Sequence, residues 1–201
     1  AIVLKNARNC IINGNQFYNV GSYGIWLHLN STNNLIKNNE IEEAGAGGVI
    51  LTGPWVSRGV SISGNSDSQK YAPINNTITN NHIHHSGRIY KYISGIHLDS
   101  RPNNQADAAG NKIAHNHIHH MSRLGIFAFA NQGNNIFAYN HLHHLTLESD
   151  DAGGIHICNR RVSIPGNIIK NNLIHDIYGR KLHNGGKIKR EKGFGIYLDD
   201  R

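Results

Sequence analysis

Apolar and polar residues alternate in short runs along the whole chain, and the runs are of two kinds. The first reads Gly-Ile-x-Leu or a close variant: AIVL from Ala1, GIWL from Gly24, GVIL from Gly48, GIHL from Gly95, GIFA from Gly125, GIHI from Gly154 and GIYL from Gly195. The second reads Ile-x-x-Asn-x-Ile and is anchored on Asn15, Asn39, Asn81, Asn116, Asn140 and Asn172. Both have the period of two that sends successive side chains to opposite faces of a strand. No segment keeps apolar residues at i, i+3, i+4 and i+7 for two turns, so the pattern predicts an all-β chain. The two runs alternate, and the shortest interval between anchoring asparagines is 24 residues, Asn15 to Asn39. Longer intervals read as insertions around 55–71, 88–94, 102–110 and 180–193, which a repeating fold places on the edge of its stack.

If each interval is one coil, identical positions of successive coils stack about 4.8 Å apart. Ile25 and Leu27 then face inward, as do Ile96 and Leu98, Ile155 and Ile157, and Ile196 and Leu198. The anchoring asparagines form one column. An amide both donates and accepts, so a stack of amides satisfies itself, and these residues are read as structural. Nine histidines flank that column: His82, His84 and His85; His117, His119 and His120; His141, His143 and His144. Each trio repeats on the next coil, which predicts a ladder of stacked imidazoles. A metal site needs a few convergent ligands with a supporting shell, and no metal ligand set is assigned from the sequence.

The pattern resembles the right-handed parallel β-helix, the solenoid of pectate lyases and many carbohydrate-active enzymes. The resemblance covers the whole chain and implies a single-stranded right-handed parallel β-helix solenoid of about six to seven coils. Residues 1–201 form one such domain, and the chain begins and ends inside the repeat, as a piece of a longer β-helix would.

Composition refines this picture. Apolar residues are 38% of the 201, which suits a thin core. No apolar run approaches the ~20 residues of a membrane span, and no signal peptide is visible at Ala1. Cys10 and Cys158 lie in different parts of the repeat, so no disulfide is expected. Net charge is +7, with basic residues at Arg160-Arg161 and from Lys181 to Lys192. That favours an acidic polymer such as a uronic-acid glycan or nucleic acid. No nucleic-acid-binding module is recognisable, and a carbohydrate is the expected partner of a monomeric protein that is secreted, periplasmic or on the cell surface.

Candidate chemistry lies on the outward positions of the Gly-Ile-x-Leu strands. Trp26, His97, Phe127, His156 and Tyr197 fall in one column, and exposed rings in a row suit a sugar polymer. Carboxylates gather at the same strands: Asp99, Asp199 and Asp200 after them, Glu148, Asp150 and Asp151 before one. Arg101, Arg160, Arg161 and Arg201 follow the strands. Glycoside hydrolysis needs two carboxyls, about 5–5.5 Å apart for retention and about 6.5–9.5 Å for inversion. Asp99 and Asp199 share a column but lie three coils apart, roughly 14 Å. His156 is diagonal to Asp199, about 8 Å away on the same spacing, and only loop geometry could bring Asp151 near Asp199.

Glu148 to Ile157, ESDDAGGIHI, followed one coil later by Gly193 to Asp200, GFGIYLDD, resembles the paired signature of β-helix glycoside hydrolases of family 141 and its relatives. The resemblance implies that Asp151, Asp199 and Asp200 line a catalytic site. His156 stands where that family usually carries an aromatic residue. The motifs of polygalacturonases are not matched. Three readings follow: an extracellular glycoside hydrolase of plant or microbial polysaccharides; a polysaccharide lyase or C5-epimerase acting on a uronate polymer; and a glycan-binding solenoid without catalysis. In the first, Asp151 with Asp199 or Asp200 are catalytic, and Trp26, His97, Asp99, Phe127, His156, Arg160 and Tyr197 bind substrate. No cofactor is required, although Asp150-Asp151 could hold a Ca²⁺.

Overall fold

The structure is a computed structural model and describes residues 1–53, 56–57, 60–61, 72–99, 109–129, 133–159, 165–182, 188–190 and 192–199. Three parallel sheets run its length. In sheet A, Ile2–Lys5, Ile25–His28, Val49–Thr52, Ser94–Asp99, Leu124–Phe129, Ala152–Cys158 and Gly193–Asp199 lie side by side in chain order. Sheet B takes Ile11–Asn13, Leu35–Lys37, Thr77–Thr79, Lys112–Ala114, Ile136–Ala138 and Ile168–Lys170. Sheet C takes Gln16–Tyr18, Glu40–Glu42, His82–His84, His117–His119, His141–Leu145 and Leu173–Ile177. The chain visits A, B and C in turn, so each coil adds one strand to each sheet. Six coils and a seventh sheet A strand make a right-handed parallel β-helix, as the repeat predicts. No helix occurs among the described residues. The predicted insertions at 55–71, 102–110 and 180–193 fall largely outside them, apart from two short antiparallel pairs, Val56–Ser57 with Val60–Ser61 and Arg180–Leu182 with Ile188–Arg190.

Left-handed residues make the corners. Asn38, Asn80, His115, Tyr139 and Asn171 all have φ between 52° and 56° and turn the chain from sheet B into sheet C. Asn adopts this conformation at low cost, which explains its frequency there. The next residue in each case is an anchoring asparagine. Asn15, Asn39, Asn81, Asn116 and Asn140 each donate Nδ2 to Oδ1 of the following coil's asparagine at 3.0 Å, ending on Asn172. The same Oδ1 atoms accept the backbone N–H of the preceding coil's asparagine at 2.9–3.1 Å. A second ladder, which the sequence reading did not separate from the first, runs five residues earlier through Asn34, Asn76, Asn111, Asn135 and Asn167.

Between the ladders the interior is aliphatic. Ile25, Leu27, Ile96, Leu98 and Ile155 are fully buried, and sheets B and C answer with Ile36, Ile78 and Ile113 and with Ile41, Ile83 and Ile118. Ile196 and Leu198 keep the inward register, opposite Ile155 and Ile157, but are 49% and 70% exposed. Their strand is the last of sheet A and has a neighbour on one side only. Cys10 and Cys158 are not joined in a disulfide.

The outer face of sheet C carries the imidazole ladder. His82, His117 and His141 stack with centroids 4.8 Å apart, and His84, His119, His143 and His175 with centroids 4.9–5.0 Å apart. His85, His120 and His144 form a third stack at the corner.

Candidate active site

Pairing across sheet A brings the outward residues into the register that the sequence predicts. Trp26 lies opposite Ile50, Ile50 opposite His97, His97 opposite Phe127, Phe127 opposite His156, and His156 opposite Tyr197. The neighbouring outward column reads His28, Thr52, Asp99, Phe129, Cys158 and Asp199. Asp99 and Asp199 are therefore three strands apart, and no catalytic pair forms between them. The strip is not a row of exposed rings. Trp26 is 37% exposed, but Phe127 and His156 are each only 4% exposed. Phe127 is enclosed by the rings of His97, His156 and Phe129 at 5.0–5.4 Å, and it packs with Leu124, Ala152 and Cys158 in a small apolar cluster outside the coil's interior.

The strip divides into two polar groups. At the first, Tyr23 Oη shares a hydrogen bond with His97 Nδ1 at 3.2 Å. Tyr23 closes the first coil and His97 lies in the fourth. The ring crosses the second coil at Gly47, where a Cβ would meet the Tyr23 ring at 2.8 Å. Burial, with the Asp99 charge adding to it, pushes the Tyr23 phenol far above its ordinary value. Beside this group Trp26 Nε1 donates to Thr52 Oγ1 at 2.7 Å, and His28 Nδ1 shares a hydrogen bond with the same hydroxyl at 2.9 Å.

The second group joins the last two strands of sheet A. His156 Nε2 lies 3.3 Å from Asp199 Oδ2, a diagonal that side-chain length closes although the backbone spacing is wider. The Tyr197 ring lies tilted against that of His156, with centroids 4.5 Å apart. The Tyr197 hydroxyl donates to Asp151 Oδ1 at 3.5 Å, and the Asp199 charge acts on the same phenol. Partial burial and the two carboxylates raise the Tyr197 phenol above its ordinary value. Burial lowers His156 below its ordinary value against the opposing pull of Asp199, so the ring is neutral near pH 7. Its Nδ1 is buried with no hydrogen-bond partner.

Asp151 reaches this group from the corner before its strand. Its φ is 50°, the conformation of the solenoid's other corners rather than an isolated strain. Arg123, which the sequence reading missed, holds that corner: Nη2 donates to Asp151 O at 3.0 Å, and the guanidinium lies 4.0 Å over the Tyr92 ring. Glu148 is drawn elsewhere, paired with Lys91 Nζ at 2.9 Å. Asp200 and Arg160, with Arg101, Arg161 and Arg201, lie outside the described residues. Arg123 and Tyr23 both sit in corners just before Gly-Ile-x-Leu strands, where the alternation of the strands gives no signal.

No curated protein matches the chain. Among solved structures, an alginate lyase from Paenibacillus sp. str. FPU-7 aligns with a TM-score of 0.45 and 12% identity, over 98% of this chain and 75% of that one. At that distance the alignment bears on neither reaction nor residues. Residues 1–103, just over half the chain, match the family described as right handed beta helix region. Together with the three stacked parallel sheets, this match shows that the chain belongs to that family of right-handed β-helix proteins.

Proposed function

We propose that the protein is a glycoside hydrolase and that Asp151 and Asp199 are its carboxylate pair. The observation that carries this reading is the Tyr197–His156 ring pair, centroids 4.5 Å apart, on which the two acids meet: the Tyr197 hydroxyl donates to Asp151 Oδ1 at 3.5 Å and His156 Nε2 lies 3.3 Å from Asp199 Oδ2. Two carboxylates held on adjoining rings at one end of the strip are the arrangement with which a pair can flank a glycosidic bond. One carboxylic acid protonates the leaving oxygen. The other attacks the anomeric carbon or activates a water against it. Tyr197 positions Asp151, His156 orients Asp199, and the exposed Trp26 offers an apolar face to a sugar ring farther along the strip.

A second reading is favoured by His156. A neutral buried imidazole with an unengaged Nδ1, next to a phenol, can serve as base and acid in a β-elimination from a uronate, with Arg123 near the substrate carboxylate. Digestion of a glycan panel separates the two. Hydrolysis gives new reducing ends alone, whereas elimination adds the ultraviolet absorbance of an unsaturated uronate. With the hydrolase, Asp151→Asn and Asp199→Asn each lower the rate by about 10²- to 10⁴-fold, while Tyr197→Phe leaves measurable turnover. Unchanged hydrolysis in either Asn variant would remove that residue from the mechanism. Ultraviolet-absorbing product would replace the hydrolase with the lyase.

A further inference from the structure

Sheet C alternates inward Ile83 and Ile118 with outward His82, His84, His117 and His119, so its outer face is a grid of imidazoles. The rings do more than stack. His82 Nε2 lies 2.8 Å from His119 Nε2, one coil on and one step along the strand. The same diagonal recurs between His117 and His143 at 2.8 Å and between His141 and His175 at 2.9 Å. Each neutral imidazole has one N–H and one lone pair, and these contacts are N–H···N bonds when only protons fill them.

His82, His84 and His119 also converge. Each offers a ring nitrogen, and the three nitrogens lie within 4.8 Å of one another. On each ring the other nitrogen is engaged. His82 Nδ1 faces Glu40 Oε1 at 3.4 Å, His84 Nδ1 meets His85 Nδ1 at 2.8 Å, and His119 Nδ1 meets His120 Nδ1 at 2.7 Å. Protein metal sites have this arrangement: the outer nitrogen is held by a carboxylate or another polar group, which fixes the tautomer and turns Nε2 toward the ion.

We infer that His82, His84 and His119 form a binding site for a divalent transition-metal ion of the zinc class, clamping two successive coils on the outer face of sheet C. Imidazole suits Zn²⁺, Cu²⁺ and Ni²⁺, and three histidines leave a fourth tetrahedral position for water or another ligand. Zn–N bonds of about 2.0–2.1 Å require the rings to part slightly from N–H···N contact. His82 can do so because its side chain is 39% exposed. A second triad, His117, His119 and His143, repeats the arrangement one coil on. A third group, His85, His119 and His120, also uses His119, and a fourth, Glu42, His84 and His85, shares His84, so an ion on His82, His84 and His119 excludes the others and one tightly bound ion per chain is expected. Because the ligands come from two coils, the ion holds the folded stack and raises its stability by mass action.

The test is calorimetric titration of Zn²⁺ into the metal-free protein, with thermal denaturation in the presence and absence of the ion. The expected result is about one ion per chain through the shared His119 and an upward shift of the transition. His119→Asn abolishes both effects, and His82→Gln weakens binding by at least about tenfold. Glu40→Gln, which removes the carboxylate beside His82 Nδ1 and His84 Nε2, weakens it by about tenfold. His115→Gln, at a corner where the ring stacks on Tyr139, leaves binding unchanged. If His119→Asn does not fold, His82→Gln and Glu40→Gln carry the test, since both side chains are half-exposed. Absence of binding to the wild type, or binding that these variants leave intact, overturns the site.

Discussion

Asn81 shows how much one residue holds in this fold. Its Nδ2 donates to Ile36 O and to Asn116 Oδ1, both at 3.0 Å, and its Oδ1 accepts from the backbone N–H and the Nδ2 of Asn39. All of these groups are buried. Truncation to alanine strands the Ile36 carbonyl and the Asn39 donors, and each unsatisfied buried group costs about 1–3 kcal/mol. Asn81→Ala is expected to destabilise the protein by about 3 kcal/mol or more. Asn15→Ala, at the exposed start of the same ladder, costs about 1 kcal/mol or less by the same reasoning. Urea denaturation of the two variants measures the contrast; equal losses would mean that the ladder is not what holds the coils. The anchoring asparagines were legible because an amide column has a fixed sequence spacing. The second ladder has the same signature, five residues upstream, but the diversity of neighbouring residues hid it.

At the scale of the strand, the glycine of Gly-Ile-x-Leu is explained by what faces it. A Cβ on Gly125 would meet Gly154 O at 2.6 Å and Leu145 Cδ1 at 2.8 Å, and one on Gly95 would meet Ile118 Cγ2 at 2.5 Å. Sheet A enters each coil directly against the inward column of sheet C, leaving no room for a methyl group. On Gly195, in the last strand, the nearest atom would be Ile174 Cγ2 at 3.9 Å. Gly125→Ala should therefore destabilise by about 1–3 kcal/mol through overpacking, and Gly195→Ala should be near neutral. Equal effects in thermal or chemical denaturation would contradict this packing. The same strands set the limit on reading the site from sequence. Alternation fixes which side chains point outward and which are in register, so the column from Trp26 to Tyr197 and the place of Asp199 were legible. Alternation says nothing of corners, and Tyr23, Arg123 and the approach of Asp151 to Tyr197 are all corner geometry. It also carries no measure of what covers a face, and so Phe127 and His156 were read as exposed.

Over the whole molecule, the histidine face makes stability depend on pH. Burial, reinforced by neighbouring imidazoles that repel a second positive charge, lowers His117 and His143 to about 4 and His119 to about 2. The groups facing them are His82, His84, His85, His120, His141, His144 and His175, with Glu40 and Glu42 at one end of the grid and Asp176 at the other. Glu40 and Glu42 draw His82 upward against burial. Between pH ~6.5 and ~4 the unfolded chain takes up protons on these histidines, while the folded chain keeps them neutral. Protonation then favours unfolding, so stability falls as the solution is acidified. The effect saturates only below the folded values. Net charge of +7 with neutral histidine means that each added proton also increases self-repulsion. In metal-free buffer, the thermal transition should be nearly level above pH 7 and descend steadily from pH ~6.5 to ~4. His119→Asn, which removes the most strongly perturbed ring, should make that descent shallower even if it lowers the transition at pH 7. A parallel descent in wild type and variant would assign the acid sensitivity to other groups and leave the imidazole ladder a stack that pH does not control.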